Sequence, residues 1–162
     1  MTERDYAVQV AKSWAETIAD DPDNANNYFR RGNAYLDGED FDAAIADYSR
    51  AIDLKPGDSV AYNNRGIAHR GRGETELAIA DYSKAIELDP GYRDAYNNRG
   101  LACSDKQDFQ QAVADYSTAI EIDGSHWVAY SNRAMALWAL GDRAAAEHDY
   151  KKVSELMRAG SH

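Results

Sequence analysis

The chain has 162 residues, a formal net charge of −10 and an isoelectric point near 4.7. This charge repels nucleic-acid phosphates and anionic lipids, so neither a nucleic acid nor a membrane surface is an expected partner. The sequence has neither a membrane-length apolar stretch nor a secretory signal pattern, and its single cysteine, Cys103, cannot form an intrachain disulfide. We therefore expect a cytoplasmic protein.

Residues Glu3–Asp20 are the first predicted element, an amphipathic helix. Its apolar residues recur at helical spacing and are Ala7, Val10, Ala11, Trp14 and Ile18. Pro22 ends the helix, because proline disfavours helical geometry in the residue before it and has no N–H to donate. We assign residues 1–24 to an N-terminal capping helix that corresponds to the second half of a repeat.

The rest of the chain repeats every 34 residues. The segment YNNRG at 62–66 returns at 96–100, and variants of it begin at Tyr28 and Tyr130. Each copy predicts two helices joined by a short break, where Gly and Asp suit a tight turn and Asp can cap the next helix. The breaks fall at 37–40, 71–74, 105–108 and 141–142, and the four predicted repeats span 25–58, 59–92, 93–126 and 127–162.

Aromatic and small residues recur at fixed positions of the repeats and indicate interlocking packing. Eight of the eleven tyrosines fall in two columns, Tyr28, Tyr62, Tyr96 and Tyr130 in the first helices and Tyr48, Tyr82, Tyr116 and Tyr150 in the second. The small residues are Gly32, Gly66, Gly100 and Ala134 in the first helices and Ala44, Ala78, Ala112 and Ala146 in the second.

These columns resemble the tetratricopeptide repeat (TPR). In the first repeat the matching residues are Tyr28, Arg31, Gly32, Tyr35, Ala44, Tyr48 and Pro56. The resemblance covers four repeats and a preceding half-repeat. It implies an all-α, right-handed superhelical solenoid of antiparallel helix pairs, with a concave groove, lined by first helices, that holds a peptide or a partner's helix. Two departures are an arginine where the family usually has leucine, and a fourth repeat without the terminal proline.

Each repeat also has an arginine sixteen residues before an aspartate. The four pairs are Arg31 and Asp47, Arg65 and Asp81, Arg99 and Asp115, and Arg133 and Asp149. A cation where the family usually packs an apolar side chain needs a charged partner, so we predict structural ion pairs between helices. The alternative is that the arginines are reserved for an acidic ligand.

Asparagines occupy equivalent places on consecutive first helices. They are Asn63, Asn64, Asn97, Asn98 and Asn132. Asparagine costs about 0.5 kcal/mol relative to alanine inside a helix, and a binding role would offset that cost. The TPR resemblance implies that such amides, which both donate and accept, hold the backbone of an extended peptide. The open alternative is that duplication copied one asparagine pair whose side chains are solvated or bonded to neighbouring turns.

An apolar strip is predicted one turn further along the first helices. Its column consists of Asn33, Ile67, Leu101 and Met135, with Arg70 and Trp138 on the same helical face. If this face lines the groove, the strip would hold a partner's side chains while the amides hold its backbone. The alternative is that these residues pack against adjacent helices.

Some chaperone-binding members of the TPR family hold a C-terminal carboxylate with two asparagines and several cations. Asn33 and Asn64 match the two asparagines, but Phe29, Asp94 and Asn98 stand where cations are expected. A terminal carboxylate would meet Asp94, so this specialised activity is not expected.

Catalysis, a metal site and a cofactor are not expected either. The histidines, which have no metal-ligand spacing with one another or with Cys103, are His69, His126, His148 and His162. We find no strand followed by a glycine-rich phosphate loop. His69 shares its column with Tyr35, Cys103 and Leu137 and is expected to pack against the partner helix.

We therefore expect a non-enzymatic scaffold that binds a neutral to basic peptide segment or partner protein in the groove. A monomer is expected because Glu147 and Ser154 make the last helix polar where earlier repeats have apolar residues, so that Arg143–Met157 caps the fold. The alternative is a self-associating assembly protein or a secretion-type chaperone that uses its ends or its convex face.

Overall fold

A computed structural model describes residues 3–159, and within this range the chain forms nine α-helices and no strand. Its contacts divide it into two compact units, of which one ends at Asp89 and the other begins at Pro90. The first unit contains α1 (Glu3–Asp20), α2 (Ala25–Asp37), α3 (Phe41–Leu54), α4 (Ser59–Gly71) and α5 (Thr75–Leu88). The second contains α6 (Arg93–Asp105), α7 (Phe109–Ile122), α8 (Trp127–Ala139) and α9 (Arg143–Ala159). The all-α prediction is confirmed.

Successive helices pack against each other within each unit. The first helices of neighbouring repeats also touch directly, α2 against α4 in the first unit and α6 against α8 in the second. The helices begin and end at the predicted breaks, except that α9 continues to Ala159, two residues past the predicted end at Met157. The unit boundary at Asp89 lies near the predicted boundary between the second and third repeats.

Aspartates cap the helices that follow three of the breaks. A side-chain oxygen of Asp40, Asp108 or Asp142 accepts a hydrogen bond from the backbone N–H three residues later, at 3.2, 3.1 and 3.1 Å. Each break also contains one residue with a positive φ, which is Glu39 (57°), Gly73 (78°), Gln107 (63°) or Gly141 (86°). Glycine is thus used at only two of four equivalent turns.

Glycine and tyrosine interlock in the first three repeats. A Cβ atom on Gly32, Gly66 or Gly100 would lie only 2.8, 2.7 and 2.6 Å from the nearest ring carbon of Tyr48, Tyr82 and Tyr116, respectively. These three tyrosines are at most 1% exposed. The second-helix alanines, which are fully buried, are Ala44, Ala78, Ala112 and Ala146. Close approach of the two helices therefore depends on the missing glycine side chain.

The fourth repeat departs from this packing. Ala134 stands in the glycine column, and the corresponding tyrosine, Tyr150, is 41% exposed. In the first three repeats a Cβ atom at this position would lie within 2.8 Å of the tyrosine ring, so a methyl group at residue 134 does not suit the same close packing. The interlocking packing that the columns predict therefore does not bury Tyr150 as it buries the other three second-helix tyrosines.

The helix α1 packs along α2. Its buried residues include Ala7, Ala11 and Ile18, which lie on the predicted apolar face. The guanidinium of Arg30 on α2 covers the ring of Trp14, 5.6 Å from its centroid. These contacts are those of a helix that covers the end of the first repeat.

At the other end, Glu147 and Ser154 of α9 are exposed, in keeping with their predicted place on an outer surface. Two large apolar residues of the same helix, Tyr150 and Met157, are also 41% and 50% exposed. Among the described residues, no helix is both long enough and apolar enough to cross a lipid bilayer.

Candidate functional site

An Arg–Asp pair joins the two helices of every repeat. In each pair Nε and Nη2 of the arginine donate to the two carboxylate oxygens at 2.7–2.9 Å. The aspartate side chains are 2–9% exposed, whereas the arginine side chains are 20–22% exposed. The same two-point contact thus recurs four times at a largely buried position.

Other groups surround these arginines as well. Each guanidinium lies over the tyrosine ring three residues earlier, at 5.5–5.8 Å from the centroid of Tyr28, Tyr62, Tyr96 or Tyr130. Nη1 of Arg65 donates to Ser49 on α3 at 3.1 Å, and Nη1 of Arg133 donates to Ser117 on α7 at 3.0 Å. Hydrogen bonding to the aspartate raises the pKa of all four arginines, although burial opposes it. These contacts favour a structural role over the binding of an acidic ligand.

We call the exposed surface of the first helices in a unit its first-helix face, formed by α2 and α4 in the first unit and by α6 and α8 in the second. In the first unit, Nδ2 of Asn64 donates to Oδ1 of Asn33 at 3.1 Å. The same oxygen accepts a hydrogen bond from the hydroxyl of Tyr48 at 2.8 Å. Asn63 in turn donates to Oδ1 of Asn64 at 3.2 Å. The amides therefore form a connected network that joins three helices.

A hydrogen bond between two side-chain amides also occurs in the second unit. Nδ2 of Asn132 on α8 donates to Oδ1 of Asn97 on α6 at 3.0 Å. In both units a side-chain amide thus connects one first helix to the next. Asn98, the remaining predicted amide, is half-buried on α6.

The amides are not equally accessible. Asn63 is 3% exposed and Asn97 is 7% exposed, whereas Asn33, Asn64 and Asn132 are half-buried. Asn63 and Asn97 have too little surface to form the polar lining that the sequence predicts. We now assign these two a supporting role, because each bonds a neighbouring amide that does reach the surface.

The apolar part of the predicted site lies mainly on α8. Met135 is 54% exposed and Trp138 is 51% exposed, and they are separated by one helical turn. The guanidinium of Arg143 covers one face of Trp138, 5.1 Å from the ring centroid. Ile67 and Leu101, in the same column as Met135, are half-buried, as is Arg70. The strip is therefore most accessible in the fourth repeat.

Phe29 and Asp94 stand at two of the positions where a site for a C-terminal carboxylate would have cations. The ring of Phe29 packs against that of Tyr48 with centroids 5.8 Å apart, and Asp94 accepts a hydrogen bond from Arg93 at 2.8 Å. Both residues therefore have contacts within the fold.

His69 and Cys103 are the two reactive side chains of one column. Nδ1 of His69 lies 2.7 Å from Oε2 of Glu74, and its Nε2 lies 3.8 Å from Oδ2 of Asp81. His69 thus has polar contacts in addition to the packing that its column predicts. Cys103 is 5% exposed, and burial raises the pKa of its thiol, which disfavours the reactive thiolate.

Sequence comparison agrees with the repeat geometry. Models described as tetratricopeptide repeat or TPR repeat match residues 59–92 and 94–126, 32–73, and 128–159. The chain is a tetratricopeptide repeat protein. No curated protein sequence matches it significantly.

Solved TPR structures resemble the chain over most of its length. A crystal structure of MamA is 25% identical, with a TM-score of 0.87 over 93% of this chain and 88% of that one. MamA 41-end from Desulfovibrio magneticus RS-1 is 17% identical, with a TM-score of 0.86 over 94% and 86%, and shows the fold alone. The first TPR of Spaghetti (RPAP3), bound to the HSP90 peptide SRMEEVD, is 27% identical, with a TM-score of 0.71 over 72% and 93%.

Proposed function

We propose that this TPR protein is a non-enzymatic scaffold that binds a peptide segment or a partner protein on its first-helix faces. The observation that carries the proposal is the pairing, within the second unit, of two accessible apolar side chains, Met135 and Trp138, with the bonded amides of Asn97 and Asn132. An exposed Trp and Met on one helical face favour contact with an apolar side chain of a partner.

The chemistry of the partner follows from the charges of the chain. With a net charge of −10, the protein attracts a neutral to basic segment and repels nucleic acid and anionic lipid. A similar TPR domain was solved with a bound peptide, which supports a peptide as the class of ligand.

Selection from a displayed library of random peptides on the immobilised whole chain tests this proposal. We expect selected peptides to contain apolar and basic residues. The double variant Asn64→Ala and Asn98→Ala should bind them more weakly by about 1 to 3 kcal/mol, measured by calorimetry at a temperature at which both proteins are folded. The control is Gln110→Ala, which removes an exposed amide from the second helix α7 and should leave affinity unchanged.

Two results would contradict the proposal. One is a library that yields no binder to the wild-type chain. The other is a selected peptide that binds the double variant as tightly as the wild type.

Self-association is the second candidate function, and the exposure of Tyr150 and Met157 on α9 favours it. Light scattering over a concentration series separates a monomer from an assembly. If the polar residues of α9 keep the chain monomeric, Glu147→Ile with Ser154→Ile should promote end-to-end association. An unchanged monomeric mass for that double variant would count against this capping role.

A further inference from the structure

The side-chain oxygen of Asn33 is held by two hydrogen bonds. Its Oδ1 accepts hydrogen bonds from both Tyr48 and Asn64, at 2.8 and 3.1 Å. An oxygen with two acceptor sites is saturated by these two donors. The two N–H groups on Nδ2 must then point away from this pair of donors.

The outer side of Asn33 is open. Within residues 3–159, Nε2 of His126 is the fully buried side-chain atom that lacks a hydrogen-bond partner. Nδ2 of Asn33 is therefore not both buried and unpaired. Both bonds of Asn33 to described side chains go to its oxygen. Nδ2 therefore reaches the surface of α2 as a hydrogen-bond donor.

Tyr48 is well suited to hold this orientation. Its side chain is fully buried, and its ring packs against Gly32 so closely that the hydroxyl has little freedom to move. Burial raises the pKa of Tyr48 well above its usual range, although a hydrogen bond from Asn64 opposes the shift. The hydroxyl therefore stays protonated and can donate at any ordinary pH.

We propose that Tyr48 is a positioning residue of the first-helix face, which turns the Asn33 amide so that an N–H of its Nδ2 donates to a main-chain carbonyl oxygen of a bound segment. This inference rests on the proposed function, and it identifies which amide contacts the segment and with which atoms. Asn33 presents donors, whereas Asn64 uses its own N–H to support Asn33.

Local charge favours a neutral carbonyl over a carboxylate. Asp37 lies one turn beyond Asn33 on α2 and is close enough to Tyr48 to raise its pKa electrostatically. A negative ligand at Asn33 would be repelled by Asp37, while an uncharged carbonyl would not.

The hydrogen bond from a second-helix tyrosine to an amide at the position of Asn33 belongs to the first repeat. The residues that replace Asn33 in the other repeats are Ile67, Leu101 and Met135, which have no amide to orient. Tyr116 of the third repeat instead places its hydroxyl 3.3 Å from Oγ of Ser104. Tyr116→Phe therefore removes an equivalent buried hydroxyl without touching Asn33.

The orientation can be tested in the free, full-length protein by ¹⁵N relaxation of side-chain amides. We expect the order parameter of Asn33 Nδ2 to be near that of rigid backbone, about 0.85, in the wild type and in Tyr116→Phe. It should fall below about 0.6 in Tyr48→Phe, whose ring still packs against Gly32. An unchanged order parameter in folded Tyr48→Phe would overturn the positioning role.

The variant Asn33→Asp tests whether a bound segment contacts the N–H donors of Asn33. The ligand is a peptide selected on the whole chain. Aspartate keeps an oxygen for Tyr48 and Asn64 but replaces the outward NH₂ by a second oxygen. We expect at least about tenfold weaker binding for Asn33→Asp, and weaker binding for Tyr48→Phe, with Tyr116→Phe like the wild type. Equal affinity of Asn33→Asp and wild type would overturn the inference while the proposed function stands. Failure of the wild type to bind any peptide would instead refute both the proposed function and the carbonyl contact.

Discussion

The first helices carry two polar networks that differ in how they repeat. The Arg–Asp network joins the two helices of one repeat and has nearly the same geometry four times, with buried carboxylates and two short hydrogen bonds per pair. The amide network joins first helices of successive repeats, and its members differ between the units. An interaction that every repeat uses in the same way serves the common fold. A network that varies from repeat to repeat and leaves donors at the surface is suited to contact something else.

Breaking one ion pair should have the largest effect on stability. Asp81→Ala leaves the guanidinium of Arg65 without its carboxylate at a position where that side chain is only 22% exposed. We expect a loss of about 2 to 3 kcal/mol in the free energy of unfolding, measured by urea denaturation.

Two variants test whether this loss comes from burial of a charge. Arg65→Leu restores the residue that the family usually has and should cost less than Asp81→Ala. Asp42→Ala removes the partner of Arg72 from a pair in which the carboxylate is 78% exposed, and should cost less than about 1 kcal/mol. Equal losses from Asp81→Ala and Arg65→Leu would show that the pair does not bury an otherwise unpaired charge.

The packing of glycine against tyrosine is a second feature that the first three repeats share, and breaking it should have a somewhat smaller effect on stability. In Gly66→Ala the new methyl group would lie 2.7 Å from Cε1 of Tyr82, so the ring has to move. We expect a loss of about 1 to 2 kcal/mol in the free energy of unfolding. In the reverse change, Ala134→Gly, the ring of Tyr150 gains room to pack, so quenching of tyrosine fluorescence by acrylamide should decrease. A tolerated Gly66→Ala variant would mean that the ring has an alternative position.

The smallest expected effect is on the pH dependence of stability, and it comes from His126, which has no histidine at the equivalent position of the other repeats. Burial lowers the pKa of His126, with Arg93 adding to the shift and Asp94 and Asp123 opposing it. As pH falls, the unfolded chain therefore takes up the proton before the folded chain does. The stability that neutral His126 contributes is fully present above the unfolded pKa of about 6.5 and is lost as pH falls through the lower folded value. The carboxylate of Asp123 stays charged in this range because hydrogen bonds lower its pKa to about 2.

Urea denaturation at pH 7.5 and pH 5 measures this effect, with His126→Gln as the control that cannot titrate. Wild type should lose more stability between the two pH values than the variant does. The two proteins differ only at residue 126, so the difference between their losses reports on His126. Parallel losses in the two proteins would show that protonation of His126 is not resisted by the fold.

Much of the fold is predictable because its determinants are local. The breaks follow from Gly, Asp and Pro at fixed positions, and α1 spans the predicted residues Glu3–Asp20. The pairing of Arg31 with Asp47 follows from a charge that needs a partner sixteen residues away in every repeat. The exposure of Tyr150 also has a signal in the sequence, since Ala134 is the one residue with a side chain in the glycine column.

The amides could be located on the first helices but not ranked by accessibility. Asn63 and Asn64 are adjacent in the sequence, yet only the packing of α4 against its neighbours decides that Asn63 is buried. The bond between Tyr48 and Asn33 was also missed, because recurrence shows that positions are equivalent and does not show which way a side chain points. Orientation of an amide depends on tertiary contacts.

The most direct test of the central claim is hydrogen exchange of the whole chain with and without a display-selected peptide. If the first-helix faces bind the peptide, exchange should slow in α2, α4, α6 and α8, with smaller changes in α3, α5, α7 and α9. Protection confined to the second helices, with the first helices exchanging as in the free protein, would contradict the account.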